Sequence, residues 1–173
     1  MAFTRFLELL FFVYFAVHIP VSILFDSQAI FPRQWYPDFL VTPKLEYTTQ
    51  YKDVLFAELP IWYKSFIYVE IFIQFPFFFV AAYAFYKGNC KWIRIPAIVY
   101  GAHTATTVIP IVAEIFFNDF ANTTTPAPST FQERATLVGI YAPFLVVPFI
   151  LLFTMLFNTD YIDGGRDRKQ KVN

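Results

Sequence analysis

Apolar residues in this chain gather into long unbroken blocks and do not alternate with polar ones. A bilayer core about 30 Å thick needs roughly 20 mainly apolar helical residues to cross it. Four blocks reach that length, at about 6–26, 61–86, 93–117 and 135–157, leaving a tail at 158–173. They predict an all-α integral membrane protein: a four-transmembrane-helix bundle in a single domain, 1–173. The first block exceeds the apolar core of a secretory signal, and no A-x-A site follows it. Asp26 and the FPRQWYP stretch after it mark the edge of a retained helix. Every block contains proline: Pro20, Pro76, Pro96, Pro110, Pro143 and Pro148. Inside a membrane, neighbouring helices can satisfy the carbonyls that proline frees, and the bends make room for a cavity.

Composition agrees. The 173 residues are 57% hydrophobic, 22% aromatic and 15% charged. A soluble domain carries about 45–50% apolar and about 25% charged residues. A net charge of zero argues against nucleic acid as a partner, because binding its backbone needs a basic face. The single Cys90 cannot form an internal disulfide or a paired-cysteine metal site, so no metal or cofactor is expected.

Basic residues near the helix ends set the orientation. The connection KGNCKWIR carries Lys87, Lys91 and Arg94 without an acid, which places it in the cytosol. Four spans then put both termini in the cytosol. The tail agrees, with Arg166, Arg168, Lys169 and Lys171. The stretch at about 30–60 and its edge mix Arg33, Lys44, Lys52 and Lys64 with Asp38, Glu46, Asp53 and Glu58, and it is read as lumenal because the other connections agree. Asn122-Thr123-Thr124, a candidate N-glycosylation sequon, falls on the same side. Lys169 and Lys171 stand at the spacing of a dilysine retrieval signal, which predicts the endoplasmic reticulum membrane. Trp35, Trp62 and Trp92 fall at the two interfaces, and Glu8 and Lys64 are expected to snorkel from the span ends.

Ionisable groups within spans are costly and mark function by default. His18 lies in the first block, with Asp26 two turns on; Glu70 and Gln74 share a face of the second. The third carries His103, Thr104, Thr106, Thr107 and Glu114, and the fourth offers Tyr141. His103, Thr104 and Thr106 are expected to act as interhelical glue. Glu70, near mid-membrane, suits a proton donor or a brace for another group. An aromatic-lined cavity with a few converging polar groups is the form of a small-molecule site.

Four blocks carry a resemblance: YFAVHIPVSILFDSQAIFPRQWYP, WYKSFIYVEIFIQFPFFFVAAYAFYKGNCKWIRIPAI, HTATTVIPI and ERATLVGIYAPFLVVPFILL. They cover most of the chain, which resembles the EXPERA family of four-helix membrane proteins, in its receptor branch. NTTTPAPST departs from the more basic family stretch. The resemblance implies an endoplasmic reticulum receptor for sterols and cationic amphiphiles that acts in cholesterol homeostasis and trafficking. The nuclear envelope, lysosomal and plasma membranes are implied as further locations. Implied partners are the Niemann–Pick type C cholesterol transporter and a second copy in a homodimer. In the family an aspartate ending the first helix pairs with a ligand amine, and Asp26 matches it. A second aspartate orients the first by a hydrogen bond, and Asp53 matches that one. The remaining pocket positions fall on His18, Glu70, Gln74, Thr107 and Tyr141; Phe144 replaces a family tyrosine.

The family also holds a sterol Δ8–Δ7 isomerase, the emopamil-binding protein, whose chemistry needs an acid and a base around a flat apolar slot. Glu70 and His18 could supply them. In the isomerase, an acid follows the histidine by one turn; here that position is Ser22, so the resemblance favours a receptor over an enzyme.

Overall fold

The computed structural model describes residues 2–162. Among these every regular element is helical. The first span is α1, Ala2–Leu24, followed by 3₁₀ turns at Asp26–Ala29 and Arg33–Trp35. Two further helices, α2 (Asp38–Gln50) and α3 (Val54–Glu58), occupy the stretch read from sequence as a loop. The second span joins α4 (Ile61–Val69), a π-helical turn (Glu70–Gln74) and α5 (Phe75–Lys87). The third is α6, Arg94–Phe117, and the fourth α7, Phe131–Phe157. A short α8, Thr159–Ile162, ends the described chain. Four helical stretches, Ala2–Ala29, Ile61–Lys87, Lys91–Phe117 and Phe131–Phe157, are long and apolar enough to cross a membrane.

The expected boundaries shift where caps decide them. The fourth span begins at Phe131, because Thr130 and Glu133 form a capping box that holds an added first turn. In the second span, Pro76 has no amide proton for the carbonyl of Phe72, and the backbone takes up the mismatch as the π turn just before it.

The spans pack as two pairs, α1 along α5 and α6 along α7. A Cβ on Gly101 would lie 2.9 Å from the Pro148 carbonyl oxygen, so only glycine permits the α6–α7 approach seen here. One apolar cluster fills the half around Phe11, Phe15, Phe78, Phe85 and Tyr100. A second, around Leu55, Phe56, Tyr63, Ile67 and Ile115, fills the other half beneath α2 and α3.

Arginines close the helix ends. Arg5 donates to the carbonyls of Phe85 and Tyr86, and Arg134 to those of Ile115, Phe116 and Asn118. These carbonyls belong to final turns that lack intrahelical donors. Glu8 does not snorkel. It is 4% exposed and accepts from Arg5, the Asn89 amide and the Tyr161 phenol, because those donors replace the water it would otherwise seek. Thr4 bonds Asp160 at 2.7 Å, so the first span and the end of the fourth lie on one side. The tail lysines Lys169 and Lys171 lie outside the described residues.

Candidate functional site

The sequence-predicted residues converge on one cavity of about 330 Å³ between the spans. His18, Asp26, Asp53, Glu70, Gln74, Thr107 and Tyr141 all line it. Val21, Phe25, Phe56, Phe66, Ile67, Val108, Ile111 and Phe144 supply most of the remaining wall.

The first span contributes a polar row. His18 and Ser22 stand one turn apart on one face of α1, and Asp26 follows four residues on, in the 3₁₀ turn that continues the span. The π turn brings Glu70 opposite that face. The Ser22 hydroxyl donates to Glu70 Oε1 at 2.7 Å, and His18 Nε2 lies 3.4 Å from the same oxygen. Donor atoms of His18, Asp26 and Glu70 fall within 4.8 Å of one another. His18 Nδ1 is buried without a partner, while its ring stacks on Phe78 at 4.5 Å and packs against Phe144 at 4.9 Å. Two carboxyl groups this close share a proton or gather a cation, since like charges cannot both ionise cheaply. One imidazole nitrogen and two carboxylate oxygens are also a donor set that a divalent metal would accept.

Asp53 forms a second polar centre. It is fully buried, caps α3 through the Phe56 amide at 3.1 Å, and accepts from the Tyr47 and Tyr141 hydroxyls at 2.9 Å each. Tyr141 in turn meets the Tyr63 hydroxyl at 3.0 Å. Burial pushes the Asp53 carboxyl above its ordinary value, against the opposing effect of these donors. Burial, with the charge of Asp53, raises the Tyr47 phenol. The expected hydrogen bond from Asp53 to Asp26 is absent, because the tyrosines and the Phe56 amide take up the Asp53 carboxylate. The carboxyl partnered with Asp26 is Glu70.

Gln74 is braced by α6, its amide 3.0 Å from His103 Nδ1 and its oxygen 3.5 Å from the hydroxyl of Thr104, which also lines the cavity. His103 and Thr104 are thus interhelical glue, as expected. Thr106 faces outward and bonds only its own helix, at the Ala102 carbonyl.

Ser22, Tyr47 and Tyr63 escaped the sequence reading, as did Lys44, which sits over the cavity-wall ring of Phe56. From sequence Ser22 reads only as a missing acid, although it stands four residues from both His18 and Asp26. Tyr47 and Lys44 sit on α2, a helix concealed by Pro43 and by a mixed polar composition.

An all-α membrane bundle enclosing an aromatic cavity with paired carboxyl groups defines the class, and comparison with known sequences places it. The chain belongs to the EXPERA (EXPanded EBP superfamily) family, whose model matches residues 39–155. It is similar to the Sigma intracellular receptor 2 of Xenopus tropicalis, 55% identical over 167 residues, covering 96% of this chain and 97% of that one. The proteins of the same name from Macaca fascicularis and Homo sapiens are each 45% identical over 170 residues, covering 96% of both chains.

Proposed function

We propose that this protein is a membrane receptor whose intramembrane cavity takes sterols and cationic amphiphiles, with a role in cholesterol homeostasis and trafficking. One observation carries the reading: the His18–Asp26–Glu70 cluster faces an otherwise mostly apolar, aromatic cavity. A ligand ammonium would settle the surplus negative charge there, and its apolar wings would displace nothing polar from the walls. Aromatic rings add cation–π attraction of about 0.5–2 kcal/mol. A sterol would use the same cluster through its hydroxyl, which can both donate and accept. The receptor names of the relatives support this reading.

The endoplasmic reticulum membrane is the proposed location, as the family resemblance implies, with both termini cytosolic on the basic connection at 87–94. A homodimer and the Niemann–Pick type C cholesterol transporter are the proposed partners.

The His18–Glu70 approach at 3.4 Å favours one second reading, sterol Δ8–Δ7 isomerisation with these two as proton donor and acceptor. Ser22 in place of an acid argues against it.

Asp26→Asn is the test. The variant should lose binding of a cationic amphiphile in radioligand measurements and keep its thermal unfolding midpoint. Unchanged affinity would sink the ion-pair reading. Turnover of a Δ8-sterol by purified protein would favour the enzyme instead.

A further inference from the structure

α2 lies against α3 at the Asp53 end of the cavity, with Lys44 and Tyr47 one turn apart on it and Tyr51 just past its end. Tyr47 reaches Asp53 and lines the cavity, as noted above. One turn earlier, the Lys44 ammonium sits 4.5 Å from the centroid of the Phe56 ring, and Phe56 is itself a cavity wall. Lys44 is only partly exposed, and among the described residues it makes no salt bridge and no side-chain hydrogen bond. Asp26 lines the same cavity as Phe56, and it is the carboxylate whose attraction acts on Lys44.

This chain therefore carries a cation of its own at the rim of a cavity whose anionic cluster suits a cationic ligand. Partial burial lowers the Lys44 ammonium from its ordinary value, and the attraction of Asp26 opposes that loss. Its four-carbon stem lets the ammonium swing from the Phe56 ring to water when another positive charge arrives.

We infer that Lys44 is a tethered cation that competes with amine ligands for the field of Asp26 and biases the cavity toward neutral amphiphiles such as sterols. The inference rests on the receptor reading above and names a specificity-determining residue for it. A neutral ligand leaves Lys44 in place and keeps its attraction to Asp26. A charged ligand must displace it or bind against its repulsion, so the same side chain penalises one ligand class and spares the other.

The test compares wild type, Lys44→Met, Lys44→Arg and Asp26→Asn in detergent micelles, with two probes: phenylbutyl piperidine and its uncharged phenylbutyl cyclohexane isostere. Methionine keeps the length and apolar stem of lysine on a rim helix, so the fold is retained. Lys44→Met should bind the amine roughly tenfold more tightly than wild type, as expected for removing one like charge at a partly screened site. Its affinity for the isostere should stay within about twofold, and Lys44→Arg should match wild type for both probes. Unchanged or weaker amine affinity in Lys44→Met overturns the inference, as does equal tightening of both probes, which would report space and not charge. If Asp26→Asn has lost the amine in the same experiment, the receptor reading survives that failure. Amine affinity unchanged in Asp26→Asn, or absent from every protein, overturns both.

Discussion

Tyr161 donates its phenol proton to Glu8 over 2.7 Å, closing the last described helix onto the first span. Glu8 also accepts from the Asn89 amide at 2.7 Å, so one buried carboxylate ties α1, the α5–α6 connection and α8 together. Tyr161→Phe should cost about 2 kcal/mol, the value of a hydrogen bond to a charged group. Glu8→Ala should cost more, about 3–5 kcal/mol, because it strands the partly buried Arg5 and two further donors. Thermal unfolding in detergent measures both. A Tyr161→Phe midpoint equal to wild type would remove this link from the account.

Two glycines on facing helices should answer the same substitution in opposite directions. At Gly101 a Cβ meets the Pro148 carbonyl at 2.9 Å and Leu152 Cβ at 3.1 Å, so Gly101→Ala must push α6 from α7, at about 1–3 kcal/mol. At Gly139 a Cβ meets nothing within 4 Å, so Gly139→Ala should stabilise by up to about 1 kcal/mol through helix propensity. Unfolding midpoints that move the same way in both variants would contradict this packing.

Asp53 should leave a mark on the pH dependence of stability. Its carboxyl is raised above the ordinary 3.8 by burial. The stability it contributes is therefore complete below that value and is lost as pH rises through the raised value. The stability of wild type relative to Asp53→Asn should fall as pH climbs above 3.8. A difference that grows with pH would mean that the Tyr47, Tyr141 and Phe56 donors outweigh burial.

The span positions were legible because crossing a bilayer demands a length and composition that no other requirement produces. Their ends were less so. Phe131 begins the fourth span through the local pairing of Thr130 with Glu133, a signal present in the sequence at the expected spacing. α2 was hidden, since its residues are neither apolar enough for a span nor free of proline, and tertiary contacts hold it: packing against α3 and the Gln28 amide donating to the Leu40 carbonyl.

Seven site residues were chosen from residue type and resemblance, and all seven surround one cavity. Their pairing was not legible. A buried carboxylate declares that it needs partners, but it does not say which of several nearby groups will reach it.

The sequence alone therefore determined the class: four spans, an even topology, and costly acids placed inside or beside the membrane. Hydrophobic length and the cost of buried charge are local properties that one chain displays without folding. Tertiary structure decided that Asp26 is partnered with Glu70 and not Asp53, that Ser22 braces the pair, and that Lys44 overlooks them. Those outcomes depend on distances of a few ångströms between helices, set by the π turn before Pro76 and by how α2 and α3 close the cavity.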